Sequence, residues 1–181
     1  MLNGEIVEQL DHGTLFVTYV NGKKNGPSRL EIEPGVNEIL MHYEDDLLSG
    51  ECILYYRSGA IMNVMNYIEG VLHGSFNSYF ENGMTQMSAY YSNGVYNGLV
   101  TSYDEFGDII SEIPYVNGIL HGKNVIYYPR AQGGGVLEVS FYENGLLTGN
   151  KISYYDNGEV MSVTPYIRGR PQRYPKMFNK Q

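Results

Sequence analysis

A tyrosine followed two residues later by a turn pair recurs along this chain at a fixed interval, and few folds can accommodate that. The copies are Tyr19-Val-Asn-Gly22, Tyr43-Glu-Asp-Asp46, Tyr67-Ile-Glu-Gly70, Tyr91-Ser-Asn-Gly94, Tyr115-Val-Asn-Gly118, Tyr142-Glu-Asn-Gly145 and Tyr166-Ile-Arg-Gly169. The step is 24 residues throughout, except for 27 between Tyr115 and Tyr142, where Arg130-Ala-Gln-Gly-Gly-Gly135 reads as a loop insertion of three. A fixed period of this length marks an architecture of stacked, similar units.

Each unit carries two further marks. A second glycine follows the turn by four residues at Gly26, Gly50, Gly74, Gly98, Gly122 and Gly149, and Arg173 stands in its place in the last unit. Halfway through comes another turn signal: Tyr55-Tyr-Arg-Ser-Gly59, Tyr79-Phe-Glu-Asn-Gly83, Tyr103-Asp-Glu-Phe-Gly107 and Tyr154-Tyr-Asp-Asn-Gly158. The first copy is degraded to Glu31-Ile-Glu-Pro-Gly35, and Tyr127-Tyr-Pro-Arg130 runs into the insertion. Each period therefore holds two turns and two short stretches between them.

Those stretches are β-prone. Asn-Gly is a strong hairpin signal, because both residues tolerate positive φ. Segments such as Ser75–Phe80 and Met84–Tyr91 have strand length and are rich in aromatic residues. Glycine recurs too often to leave a helix of 10–12 residues. The expectation is an all-β chain: about 14 short strands in an elongated antiparallel meander, forming a single twisted sheet of 24-residue hairpin repeats. At about 4.8 Å per strand a flat array would extend on the order of 60 Å. A two-layer sandwich is the alternative, but its strands usually lack one fixed period. The repeat domain is read as 1–169 with atypical first and last units, and 170–181 as a basic tail or cap. Tyrosine, with 18 copies against no tryptophan, suits a thin fold, since it buries its ring while its hydroxyl stays wet.

The motif Tyr-x-Asn-Gly-x-x-x-Gly followed by Tyr-Tyr-x-Asn-Gly resembles the MORN-repeat variant of bacterial antitoxin and immunity-like proteins. The resemblance runs from Tyr19 to about Gly169. Ordinary MORN repeats often carry a Gly-x-Gly pair and a tryptophan that this chain lacks, so the likeness is to the variant. It implies a sheet of stacked hairpins that binds a protein and neutralises it by direct contact. MORN-like arrays also occur in viral and eukaryotic scaffolds, which makes a structural protein of a virion or cytoskeletal assembly the alternative.

Neighbouring strand residues face opposite sides. The pairs Tyr55–Tyr56, Tyr79–Phe80, Tyr127–Tyr128 and Tyr154–Tyr155, with Tyr103 in the same series, should give two aromatic ladders, one on each face. Either both ladders only hold the sheet together, or the more exposed one contacts a partner. Candidate partner-binding residues are these aromatics, the aberrant turn Glu44-Asp45-Asp46, and Arg170 and Arg173 of the tail.

Chemistry-bearing residues do not converge. His73 and His121 occupy one repeat position two units apart, about 20 Å at strand spacing, too far to share a metal. His12 and His42 have no recognisable ligand set around them. Cys52 is the single cysteine and reads as a half-buried thiol in a strand. Asp45-Asp46 with Glu44 falls short of the 6–8 oxygens calcium takes, and Gly133–Gly135 lacks the lysine and helix of a phosphate loop. The reading is a non-enzyme without cofactor or metal.

Charge narrows the partners. The net charge is −8, but residues 1–159 carry −13, while the last 22 residues hold five bases and no acid. The acidic body argues against nucleic acid and anionic membranes, including a membrane-surface adaptor role, and would steer a basic protein toward it. Self-association through sheet edges or the basic tail is the other expectation. Pro171 and Pro175 cannot donate to a strand ladder, so the tail reads as an edge cap or as a docking segment. Met1–Glu8 has neither the basic nor the apolar region of a secretory signal, which points to the cytoplasm.

Overall fold

A computed structural model describes residues 1–33 and 35–180; Pro34 of the degraded first turn and Gln181 of the tail lie outside them. The described chain is all β apart from one 3-10 helix at Arg130–Gln132. The strands in chain order are β1 (Gly4–Leu10), β2 (Gly13–Val20), β3 (Lys23–Glu33), β4 (Val36–Glu44), β5 (Leu47–Leu48), β6 (Gly50–Tyr55), β7 (Ile61–Ile68), β8 (Val71–Tyr79), β9 (Thr85–Ser92) and β10 (Val95–Tyr96). They continue as β11 (Gly98–Tyr103), β12 (Ile109–Val116), β13 (Ile119–Leu120), β14 (Gly122–Tyr127), β15 (Val136–Glu143), β16 (Leu146–Tyr154), β17 (Val160–Ile167), β18 (Arg170–Pro171) and β19 (Lys176–Met177). They form a single antiparallel sheet of 19 strands. Five of these, β5, β10, β13, β18 and β19, are only two residues long, and the remaining 14 are the strands expected from the repeat.

The two turns of each repeat have different backbones. In the Asn-Gly turn both central residues are left-handed, with φ 50° at Asn93 and 80° at Gly94. This is the type I′ geometry that matches strand twist. Asp46 holds the glycine position of its turn at φ 71°. Its carboxylate accepts the backbone N–H of Lys24, in the preceding repeat, at 2.7 Å, and Asp tolerates the left-handed conformation better than most side chains. The second turn is a type I turn closed by a left-handed glycine. Gly59 N–H donates to Tyr56 O at 2.9 Å, and Tyr56 N–H donates to Ala60 O at 2.8 Å.

A bulge follows every Asn-Gly turn. Tyr67 pairs with Leu72 and Met65 with Phe76, so residues 73–75 oppose Asn66 alone. Gly74 sits in this bulge at φ 100°, which is the work of the second glycine of the motif. The same two-residue excess separates β5 from β6 and β13 from β14, and it accounts for most of the short strands.

Two compact units are traced along the chain: residues 1–85 with 91–94, and residues 86–90 with 95 onward. Unit 1 buries Val17, Cys52 and Met65, and unit 2 buries Val100, Val125 and Val139. Both cores are thin, and polar residues share them: Asn124 Nδ2 donates to Ser140 Oγ at 3.1 Å within unit 2.

Unit 1 also carries an ion cluster on its first strands. Arg29 donates to Glu31 at 2.8 Å and to Glu5 at 2.9 Å, with its guanidinium 3.6 Å from the centre of the Phe16 ring. The Arg29 bond, helped by the Gly35 N–H, holds the Glu31 carboxyl below its ordinary value of 4.5. A depressed folded pKa contributes stability above the unfolded value and loses it as pH falls through the folded one. Unit 1 should therefore weaken on acidification below about pH 4.5, and Glu31→Gln should flatten that decline. Urea unfolding at pH 7, 4 and 3 reads the difference, and equal slopes would show that Glu31 contributes nothing to it.

Candidate protein-binding surfaces

The aromatic pairs lie where a strand enters the second turn. Both members of each pair are half-buried: Tyr55, Tyr56, Tyr79, Phe80, Tyr127, Tyr128, Tyr154 and Tyr155, with Tyr103 in the same class. The second tyrosine of a pair has a defined task. Tyr56 Oη donates to the Tyr79 carbonyl at 2.8 Å within unit 1. In unit 2, Tyr128 donates to the Tyr154 carbonyl at 2.8 Å and Tyr155 to the Phe178 carbonyl at 2.9 Å. Each hydroxyl thus ties one repeat to the next. Phe80 and Asp104 occupy the same slot without such a tie, and Asp104 instead caps its own turn through the N–H groups of Phe106 and Asp108. Tyr128→Phe is expected to lower the stability of unit 2 by about 1 kcal/mol through loss of one half-buried hydrogen bond. Denaturant unfolding checks this, and an unchanged midpoint would remove the tie from the account. Tyr127 differs from the other first members: its hydroxyl donates to Glu112 at 2.5 Å, and that carboxylate, together with burial, raises its pKa above the ordinary value.

Exposed apolar side chains flank the tyrosine turns of most repeats. In unit 1 they are Val20, Leu47, Ile68 and Val71, and in unit 2 Val95, Val116, Ile119, Leu146 and Ile167, each between about two-fifths and three-fifths exposed. The residue just after one turn leans on the glycine of the next. A methyl built on Gly118 would come 3.1 Å from the Val95 Cβ, and one on Gly145 would come 3.4 Å from Ile119. Sequence reasoning assigned the turns to architecture and passed over these positions. Their signal was the repeated branched residue directly after Asn-Gly, where solvent-facing turns usually carry polar side chains.

The aberrant turn forms an acidic notch. Glu44, Asp45, Leu47, Ser49 and Glu69 line an open depression of 310 Å³ in unit 1. Glu44 accepts from Ser49 Oγ at 3.1 Å, and Lys23 lies 3.4 Å from Asp45. Asp46 is turned to the backbone of Lys24, so it supports the notch rather than lining it. At the matching position in unit 2 the lining is Glu143, Asn144, Leu146, Thr148 and Arg168. The acidity is therefore local and not a property of the repeat.

The basic tail runs along the last long strand. β18 and β19 both pair with β17, with Ile167 opposite Arg170 and Val163 opposite Lys176. Lys180 pairs with Asp156, which lies below the ordinary carboxylate value because of that contact. Arg170 and Arg173 are exposed.

The remaining candidates have structural occupations. The Nδ1 atoms of His73 and His121 face the N–H groups of Asn93 and Asn144 at 3.5 Å, the place Asn97 takes beneath Asn117 at 3.2 Å. They belong to the support of the neighbouring turn. No group of three or more metal-ligating side chains occurs among the described residues. Cys52 is buried, and burial raises its thiol pKa, which suppresses the reactive thiolate. The insertion forms the 3-10 helix and ends at Gly133 with φ 98°. Tyr128 N–H then closes the lengthened turn on Gly135 O at 2.8 Å.

The family model of the MORN repeat variant matches the chain at two places, residues 96–117 and 147–168. Both matches start two residues after an Asn-Gly turn pair and end at the first position of the next turn pair, Asn117-Gly118 or Arg168-Gly169, so they share one phase of the repeat. No curated protein matches the chain.

Proposed function

We propose that this chain is a non-catalytic protein-binding module of the antitoxin or immunity type, which neutralises a basic protein by direct contact. MORN repeats generally belong to proteins that bind or scaffold, and rarely to enzymes. The observation that carries the reading is the acidic notch with its exposed apolar surroundings. Glu44, Asp45 and Glu69 sit beside Leu47, and Val20, Ile68 and Val71 flank turns of the same kind in unit 1. Apolar side chains supply the area that excludes water, and the carboxylates steer and orient a cationic partner. The half-buried tyrosines Tyr55, Tyr79, Tyr103 and Tyr154 would add contact area where their edges reach solvent. The site is cytoplasmic in this reading.

The test is affinity capture from the native host with the wild-type chain and an E44K/E69K variant as baits, alongside inspection of the adjacent gene. A basic protein retained by the wild type and lost by the variant, encoded next door and toxic when expressed alone, is the expected result. Capture of no specific protein, with no toxin gene alongside, would overturn the reading.

A further inference from the structure

The repeat supplies an internal standard for judging its last copy. Six of the seven copies place Asn, Asp or Glu third in the tyrosine turn, and the last has Arg168 there at φ 48°. After the turn comes an aliphatic residue in five copies and Lys23 in the first, and the last has Arg170. The bulge glycine is present in six copies, and the last has Arg173. The bulge survives without it, since Gln172 N–H still donates to Pro165 O at 2.8 Å, as His121 N–H does to Pro114 O at 3.1 Å. Arg168 in left-handed backbone works against local preference, and such departures concentrate where a chain does something besides fold.

The bases at this end divide by type. The lysines are used internally: Lys176 lies 4.8 Å from the centre of the Phe178 ring, and Lys180 pairs with Asp156 beneath the Tyr155 ring. None of Arg168, Arg170 and Arg173 has an ion-pair partner among the described residues. Arg173 borders an open depression of 400 Å³ with Tyr166, Pro171, Tyr174 and Pro175, and Tyr174 is 94% exposed. The unpaired Arg173 guanidinium beside an exposed ring and two prolines, with Arg168 and Arg170 exposed within five residues of it in the chain, makes an end suited to carboxylates, whose geometry the guanidinium fork matches.

We propose that this arginine-bearing end docks onto the acidic notch of a second copy of the chain, Arg168, Arg170 and Arg173 meeting Glu44, Asp45 and Glu69. The argument is charge complementarity. The notch offers three carboxylates, of which Asp45 already meets Lys23, together with the half-exposed Leu47 to meet the ring of Tyr174. A long polyanion would also attract arginines, but it must approach a body of net charge −13. A second copy brings the same acidic body, and physiological salt screens the repulsion beyond about 8 Å in either case, so the oligonucleotide and vesicle arms of the test separate the occupants. The inference does not rest on the antitoxin reading, although a basic partner and a second copy would compete for the same notch.

Sedimentation velocity of the purified full chain tests it, with two charge-swapped variants, R168E/R170E/R173E and E44K/E69K. The wild type is expected to associate with rising concentration and to dissociate as salt is raised. Each variant alone should associate roughly tenfold more weakly, the scale for losing a few exposed ion pairs. Mixing the two variants should restore association, because each then supplies the surface that the other needs. A wild type that stays monomeric at all concentrations, or a mixture no stronger than its parts, overturns the proposal. Should a swapped variant lose its β-sheet circular dichroism, the neutral R168Q/R170Q/R173Q and E44Q/E69Q forms replace it. Wild-type self-association unchanged in those forms would be equally fatal. Arginine-dependent binding of a labelled oligonucleotide or an anionic vesicle, tighter than self-association, would assign the surface to another occupant and overturn it too.

Discussion

Replacing Gly13 with alanine is expected to destabilise unit 1 by about 3 kcal/mol, the upper range for forcing atoms into occupied space. Gly13 opens β2 after the two-residue Asp11-His12 turn, and it sits beside β3. A methyl placed on it would lie 2.3 Å from the Glu31 carbonyl oxygen, 3.2 Å from the Glu31 carbonyl carbon and 3.3 Å from the Ile32 Cα. All three are backbone atoms, so no side-chain rotation relieves the clash. Relief requires β2 and β3 to separate locally, although Thr14 pairs with Glu31 there. The Glu31 displaced in that way is the residue that anchors Arg29. A useful control is Gly59→Ala, where the added methyl meets nothing within 4 Å and only the left-handed backbone at φ 87° resists. That change should cost about 1 kcal/mol. Urea unfolding followed by far-ultraviolet circular dichroism measures both, and equal costs would show that the close approach is not the cause.

Val17→Ala should cost unit 1 about 2 kcal/mol, from the two buried methyl groups lost and the space they leave. Val17 is 0% exposed, and among the described residues only Cys52 and Met65 join it as buried apolar residues of the unit. It pairs with Ile6 on β1 and with Ser28 on β3. In a thin core each such residue carries a large share of the burial, and a neighbouring serine cannot expand to fill the gap. Val20→Ala, at a site 46% exposed three residues further on, should change stability by less than about 0.5 kcal/mol. The contrast between the two is the measurement, and comparable losses would mean that burial does not decide stability in this unit.

The repeat made much of the fold legible because turns, unlike packing, are written in single residues. Asn117-Gly118 and Asn144-Gly145 announce positive φ wherever they stand, and both expected turns occur in the repeats that begin at Tyr43, Tyr67, Tyr91 and Tyr142, while the one from Tyr115 carries a 3-10 helix in its second turn. The bulges were harder to see. Gly74 and Gly98 marked that something happens four residues after the turn, but not that residues 73–75 face Asn66 alone. That excess depends on the hydrogen-bond register between strands, which no single residue encodes. The boundary between the two compact units was also hidden, since the 24-residue pattern runs through Tyr91 unchanged. At the candidate surface, Glu44 and Asp45 were visible as departures from the repeat, and Arg170 and Arg173 likewise. Asp46 departs just as plainly, yet its carboxylate serves the Lys24 backbone. The tyrosine ties escaped because Tyr56 and Phe80 look alike as aromatic strand residues. The Tyr56 hydroxyl, which Phe80 lacks, is written in the sequence, but the carbonyl that it reaches is not.

The difference between the two turns of each repeat decides where this chain can change length. The Asn-Gly turn is closed over two residues, both held left-handed, and its glycine receives the side chain of the preceding repeat. Extra residues there would break that contact along with the turn. The second turn is already longer and touches little, and the three-residue insertion after Tyr128 shows that it lengthens without interrupting β14 or β15. Lengthening a surface loop adds little closure entropy, and exposed tips are where insertions are best tolerated. For an engineer, a tag, a probe or a recognition loop belongs at Arg57-Ser58, Glu81-Asn82 or Asp156-Asn157. Over generations the same asymmetry would let one edge of each unit vary freely while the other stays nearly constant.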